Sequence, residues 1–402
     1  MLDSAEKKSL AQLYRDHLLN DVMPFWEKRT WDEQYGGYLT CFDRKGELTS
    51  ANKGMWVQGR QLYMFSALYN QLEKRPTWLE LARKGRDFMC ANGYAGNGRW
   101  YYQMDRQGKV NESRLSLYTD AFALMGLCEY AVAAGTNEDM GLIEETYSAY
   151  ERNFSATDFG EYFHFIHDPR YDYHGKYMIT INLAGLAERV LGSERVRPLI
   201  DRSLEQILHV FAKDEHEALF EVVTKDGKID EHQGPIINPG HVLECMWFCM
   251  AEARRRKDQS IIDRCIQISD WAYARGYDPE YGGIYDIVTL DGYDLTQSDY
   301  IRSNYLRFDP DFHPDEKSWW VHSEALYALL LGAVLTQNQQ CYTRFSELHE
   351  WTFDKYSDRE YGEWYMKLHR DGTPKNTDKG APYRGAFHVP RALMLIMLLL
   401  EE

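Results

Sequence analysis

YGGYLTCFDRKG, residues 35–46, decides the fold, because the chain repeats it. A glycine beside aromatics, a few alternating residues and a closing Asp-Gly or Asp-x-x-Gly turn return as NGRWYYQMDRQG (97–108), ALFEVVTKDG (218–227), YGGIYDIVTLDG (281–292) and YGEWYMKLHRDG (361–372). FGEYFHFIHD (159–168) is a degenerate copy. The spacing is about sixty residues, longer before the last copy. Period-2 alternation ending in a glycine turn predicts a short β-hairpin.

Helical pattern fills the intervals. One amphipathic stretch precedes each hairpin, at 5–28, 77–91, 141–154, 196–211, 260–274 and 340–356, and another follows, at 54–72, 116–133, 177–191, 239–256, 318–336 and 389–400. The second stretch of each unit is the more apolar, as MWVQGRQLYMFSALYNQL (55–72) and WWVHSEALYALLLGAVL (319–335) show. Helices apolar on most sides are buried. Six helix–hairpin–helix units with the apolar helix inside predict an all-α chain closed into an (α/α)6 barrel, one domain over 1–402, with short hairpins at one end. An open helical-repeat solenoid is the alternative, and the absence of an obvious polar capping repeat favours closure. If all six inner helices start at the hairpin end, the functional residues belong at their first turns.

Composition narrows the partners. The 402 residues carry a net charge of −16, which argues against nucleic acid or an anionic membrane. The longest apolar run, 392–400, is too short to span a bilayer. The charged, amphipathic start MLDSAEKKSLAQLYRDHLL has no signal-peptide h-region. Seven scattered cysteines without a CxxC pair read as reduced, buried thiols of a cytoplasmic protein. The excess of Tyr and Trp suits a pocket for polar rings, whose C–H groups stack on aromatic faces.

The candidate residues sit at the inner helix starts. INPGHVLECMW (237–247) gives Asn238 as N-cap, Pro239 at the first helical position, His241 in the first turn and Glu244 on the same face. The helix dipole there predicts a neutral, basic imidazole near pH 7. RGAFHVPRALM (384–394) places His388 at the matching point of the last unit, with Arg391 three residues on. Trp56 and Arg60 share a face in the first unit, and Arg60 needs an anion or oxygen-rich partner such as Glu244. EKSWWVHSEAL (316–326) supplies Lys317, Trp320, His322 and Glu324, SLYTDAF (116–122) supplies Asp120, and KYMITINLAGL (176–186) supplies Thr180 and Asn182. A His-x-x-Glu pair is also metal-ligand spacing, but without HExxH or a further carboxylate cluster no metal is expected. Neither a phosphate loop nor a GxSxG nucleophile elbow occurs. A glycoside hydrolase on the same barrel needs two flanking carboxylates, for which Glu244 and Asp120 are the candidates.

With these motifs in hand, the chain resembles the N-acylglucosamine 2-epimerase family, whose fold is an (α/α)6 barrel. The resemblance runs over essentially the whole chain, through LAQLYRDHLLNDVMPFWEKR, WVQGRQLYMFSALYNQLEKR, INPGHVLECMWF, WWVHSEAL, YGEWYMKLHRDG and GAFHVPRA. It implies two catalytic histidines, His241 and His388, with Arg60, Glu244 and the Trp and His of WWVH in the substrate pocket. It implies inversion at C2 of an open-chain aldose, or aldose–ketose isomerisation, by proton removal and return through an enediolate-like intermediate. It implies no cofactor for the chemistry, although some members use ATP as an activator that is not consumed, and a homodimer is common. LAGLAE (183–188) lacks the histidine pair of the cellobiose branch, and NPGH with FHVPRA is nearer the N-acetylglucosamine/N-acetylmannosamine branch. The long 292–314 connection and PYRG (382–385) depart from that branch, which keeps mannose epimerisation and mannose–fructose isomerisation as alternatives. A non-catalytic binding protein is the alternative of another class, against which the retained histidine pair argues.

Overall fold

The computed structural model describes residues 3–155 and 170–402. The degenerate repeat copy at 159–168 lies outside the described residues. Among the described residues twelve long helices alternate between two rings. In chain order they are α1 Ser4–His17, α2 Met55–Gln71, α3 Pro76–Asn92, α4 Leu117–Ala134, α5 Met140–Ser155, α6 His174–Leu191, α7 Ser193–Glu205, α8 Pro239–Arg256, α9 Gln259–Gly276, α10 Trp319–Thr336, α11 Gln339–Tyr356 and α12 His388–Glu401. The even-numbered helices pack on one another around a closed inner ring, α12 returning to α2, and each odd-numbered helix backs an inner one. This is an (α/α)6 barrel, not an open solenoid.

The polarity of each helix follows its ring. The inner α4 buries Leu117, Ala121, Leu124 and Cys128 on several sides, whereas the outer α3 buries only the stripe Trp78, Ala82, Gly85 and Met89. Where two inner helices meet, glycine sets the distance. A Cβ on Gly59 of α2 would stand 2.2 Å from the carbonyl oxygen of Phe122, and one on Gly126 of α4 would stand 2.7 Å from the carbonyl oxygen of Gly59. The two backbones touch, which seats Arg60 and Phe122 side by side.

Three helix boundaries differ from the sequence reading. The stretch read as one helix over 5–28 is α1, a π-helical turn over Leu18–Val22 and a last turn Met23–Glu27 that opens with Pro24. The missing proline N–H explains the wider turn before it. α7 likewise ends in a π-helical segment, Gln206–Phe211. α6 begins at His174, three residues before the expected start, and this moves its first turn.

The hairpins do not stand alone. The residues just before an inner helix pair with the hairpin of the next unit: Lys53–Gly54 with 103–104, Tyr171–Tyr173 with Val222–Thr224, Ile236–Ile237 with Val288–Thr289, and Lys317–Ser318 with Lys367–Leu368. A buried charge cluster reinforces three of the joints. Asp278 caps the turn at the end of α9 by accepting the N–H groups of Glu280 and Tyr281, and it binds Lys317 Nζ at 3.1 Å and Arg370 Nε at 3.0 Å. Asp32 does the same with Lys53 and Arg106 at 3.1 Å each. Asp358 does it with Lys379 at 3.0 Å and Arg44 at 2.8 Å. Arg44 belongs to the first unit and Asp358 to the last, so the joint that closes the ring is built like the others. In this third copy Glu363 takes the left-handed backbone (φ 58°) that glycine holds at 37 and 283. Its carboxylate is spent on Trp26 Nε1 at 2.6 Å and Arg384 at 3.3 Å.

All seven cysteines are free and six are buried. No helix among the described residues is long and apolar enough to cross a membrane.

Candidate active site

A cavity of about 440 Å³ opens at the hairpin end of the barrel. The start of every inner helix contributes to its wall: Trp56 and Arg60 from α2, Tyr118 and Phe122 from α4, Met178 from α6, His241 and Glu244 from α8, Trp320 from α10, and His388 from α12. The first turn of α8 forms as its sequence dictates. Asn238 caps it by accepting the N–H of His241 at 2.9 Å, and Pro239 occupies the first helical position.

Both histidines are held by a carboxylate. His241 Nδ1 donates to Glu221 Oε2 at 3.0 Å, and His388 Nδ1 donates to Glu324 Oε1 at 2.7 Å. This fixes the rings and leaves each Nε2 without a protein hydrogen bond among the described residues. Trp320 lies between them, its ring 4.9 Å from that of His241 and 5.9 Å from that of His388.

The two rings differ in charge. Burial opposes an imidazolium at His241, but the Glu221 carboxylate and its hydrogen bond outweigh that, so its pKa is raised. The downward shift expected from the helix dipole is therefore corrected in direction: a carboxylate in contact outweighs a partial charge at a helix end. His388 is pushed well below the ordinary value, first by burial and then by the Arg60 charge. The two environments thus push the pair apart, His241 toward holding a proton and His388 toward the neutral ring. Glu221 itself is kept well below the usual carboxylate range: burial works against its charge, and the adjoining His241 and His174 more than offset it.

Arg60 and Glu244 both face the cavity but do not pair as expected. Glu244 Oε1 accepts from Arg391 at 2.6 Å, and the same nitrogen donates to Glu324 at 2.7 Å. Arg60 lies against the rings of Phe122, Phe387 and Trp56 at 4.1, 4.6 and 5.2 Å; its Nη1 donates to the Tyr383 carbonyl at 3.3 Å, and its Nε has no partner among the described residues. Burial pulls its pKa to about 9, with Glu244 opposing, which leaves it a cation at neutral pH. A guanidinium so placed is open to an oxygen of a ligand. Glu244, Glu324 and His388 have the mutual spacing of metal ligands, but the Arg391 guanidinium already occupies both carboxylates.

Four expected site residues lie outside the cavity wall. Tyr118 and Phe122 face inward, so Asp120, two residues along the helix from each, faces outward and binds Arg99 Nε at 2.5 Å and the N–H of Trp100. The Glu244–Asp120 pair of the hydrolase reading is thereby separated. His322 stands in the same relation to Trp320. Its Nε2 accepts from the N–H of Ile284 at 2.9 Å and its Nδ1 donates to the Ser318 carbonyl at 2.8 Å; burial lowers its pKa to about 3. Lys317 is committed to Asp278. Asn182 sits two turns into α6, because that helix starts early; Gly175 and Met178 reach the cavity instead.

Some functional groups carried little signal in the sequence. Glu221 is a lone acid inside the apolar run ALFEVV, which marks an inward polar position. Tyr300 sits in the 292–314 connection and donates to Glu221 Oε2 at 2.8 Å. Asp286, its pKa raised by burial to about 6, accepts from Ser318 and lines the cavity beside Lys367.

A pair of carboxylate-backed histidines at the inner helix starts of such a barrel is suited to acid–base proton transfer on a ligand in the cavity. Many solved structures share the fold. The cellobiose 2-epimerase of Bacillus thermoamylovorans B4167 matches with TM-score 0.83 at 18% identity, over 97% of this chain and 99% of its own. A D-mannose isomerase matches with TM-score 0.80 at 18% identity, over 96% of this chain and 97% of its own. Among curated sequences, the N-acylglucosamine 2-epimerase of Bos taurus is 29% identical over 94% of this chain and 88% of its own length. The N-acylglucosamine 2-epimerase (GlcNAc 2-epimerase) family model matches residues 37–390, and the chain belongs to that family.

Proposed function

We propose that the protein interconverts N-acetylglucosamine and N-acetylmannosamine by moving the proton at C2 between His388 and His241. The observation that carries this is the pair itself: two imidazoles on one cavity, each held at Nδ1 by its own carboxylate, with pKa values pushed in opposite directions. Titratable groups whose environments push their pKa values apart are suited to act as base and acid.

The open-chain sugar presents C2–H beside the C1 carbonyl. Neutral His388 takes the C2 proton through Nε2, and the electron pair passes into the carbonyl, giving an enediolate-like enolate with the acylamino group on C2. The Arg60 guanidinium stabilises the oxygen charge that develops. His241, already protonated, delivers its proton to the opposite face of C2, and the carbonyl re-forms. The reverse direction uses the other arrangement of the same single proton. Trp320 and the aromatic wall bind the apolar faces of the sugar. Glu324 and Glu221 hold the bases, and Glu244 with Asp286 offers acceptors to hydroxyl groups. The whole chain acts as one catalytic domain, and the chemistry calls for no cofactor. The sequence holds no glycine-rich phosphate loop, so no residue is assigned to ATP as an activator.

The test is incubation in D2O with N-acetylmannosamine, mannose and cellobiose separately, with and without ATP, following C2–H by NMR. Deuterium at C2 of N-acetylmannosamine, with its epimer appearing, is the expected result. Exchange confined to mannose, with glucose or fructose appearing, selects the alternative substrates. Exchange in none of the sugars overturns the proposal.

A further inference from the structure

The 292–314 connection is built onto the site. It rests on a small core of Ile236, Ile287, Ile301 and Phe312. It is tied to the unit-four hairpin where the N–H of Asp299 donates to the His232 carbonyl at 2.8 Å and the Tyr293 hydroxyl donates to the Glu231 carbonyl at 2.8 Å. From this platform Tyr300 reaches the same carboxylate oxygen that His241 uses: Glu221 Oε2 accepts from His241 Nδ1 at 3.0 Å and from Tyr300 Oη at 2.8 Å. Tyr305, on the same segment, accepts instead from Asn238 Nδ2 at 3.2 Å.

We propose that Tyr300 is a positioning residue for the epimerisation, acting through Glu221 to set the orientation and the protonation of His241. This rests on the two-histidine reading above. A hydrogen bond donated to a carboxylate stabilises its charge and draws electron density away from its other partner. With Tyr300 in place, Glu221 is a fixed and moderated acceptor. Without it, Glu221 is more basic and its oxygen is free to turn, so His241 holds its proton more tightly and its ring is less well aimed. The other charges facing this pair do not compensate. Glu244 and Arg60 act on His241 with opposite signs, and His388 faces it as a neutral ring. On Glu221 the remaining neighbours are His174, whose Nδ1 is 3.7 Å from Oε1, and the neutral hydroxyls of Tyr118 and Tyr305. Tyr300 stays protonated, since burial and the Glu221 charge raise its pKa.

Tyr300→Phe keeps the ring in the cavity wall and removes only the donor. The pH dependence of kcat for C2 exchange in N-acetylmannosamine, and the titration of the His241 ring followed by NMR without sugar, are measured in the wild type, in Tyr300→Phe and in Tyr305→Phe. In Tyr300→Phe the expected result is a His241 titration and alkaline limb moved up by at least about half a pH unit, with kcat down about tenfold and KM little changed. In Tyr305→Phe the titration is expected to stay in place. A His241 titration unmoved in Tyr300→Phe overturns the proposal. So does an equal shift in Tyr305→Phe, because Tyr300 then acts only as part of the roof. A wild type without C2 exchange defeats the epimerase reading, while the NMR titration still decides the link from Tyr300 to His241.

Discussion

Replacing Glu221 by Gln isolates the charge that keeps His241 protonated. The amide has the shape of the carboxylate, and its oxygen still accepts from Nδ1, which lies 3.0 Å from Oε2 in the native pair. Opposite unit charges about 4 Å apart in surroundings of effective dielectric about 20 attract by about 4 kcal/mol, equal to about 3 pH units of titration. The retained hydrogen bond recovers part of this, so a fall of about 2 to 3 units is expected for His241. Burial, opposed then only by the more distant Glu244 charge, takes the ring below its ordinary value and leaves it neutral at pH 7. The competent form carries one proton on the histidine pair. Wild-type activity should be bell-shaped, lost toward acid as His388 charges and toward alkali as His241 discharges. In Glu221→Gln the alkaline limb moves to lower pH and activity at pH 7 drops about 10²-fold, with partial recovery on acidification. The assay is deuterium incorporation at C2 of N-acetylmannosamine from pH 5 to 10, with circular dichroism as the control for folding. An alkaline limb in the same place in both proteins refutes the assignment of that limb to a Glu221-supported His241.

His241→Ala and His388→Ala are each expected to abolish C2 exchange with an unchanged far-UV circular dichroism spectrum; near-full activity in either defeats the two-base mechanism. Arg60→Lys should lower kcat/KM by at least about tenfold, because an ammonium replaces a planar cation wedged among three aromatic rings; a neutral outcome makes Arg60 a packing residue. Asp278→Ala leaves the fully buried Lys317 ammonium without its carboxylate and should cost about 3–5 kcal/mol in denaturant unfolding. Asp278→Ala combined with Lys317→Met should regain part of the loss, and a double variant no more stable than the single one argues against an uncompensated charge.

The rings of the barrel were legible because their signal is periodic and recurs: the apolar inner stretches and the Gly-aromatic hairpins appear again and again, and closure followed from their number. The capped start of α8 was legible too, since Asn-Pro-Gly-His is local chemistry. Failures came where a side chain's direction depends on one or two residues of register. Asp120 and His322 were read into the site from their place in the first turn, yet each stands about 200° around the helix from an inward aromatic. Asn182 was read inward because the start of α6 was set three residues late. Lys317 is a candidate by its place at an inner helix start, yet its partner, Asp278, is 39 positions earlier. Glu221 meets His241 from 20 residues away and Tyr300 meets Glu221 from 79 residues away, distances at which spacing carries no information about contact.

The joint between Arg44 and Asp358 has a consequence for connectivity. It uses the same acid, lysine and arginine geometry as the joints made by chain neighbours, and α1 also packs along α12, where Arg15 meets Glu401 at 3.1 Å. The first and last units therefore meet at a seam built like those between chain neighbours. No one of these seams is chemically distinct from the others, which makes the closed ring itself the unit of structure.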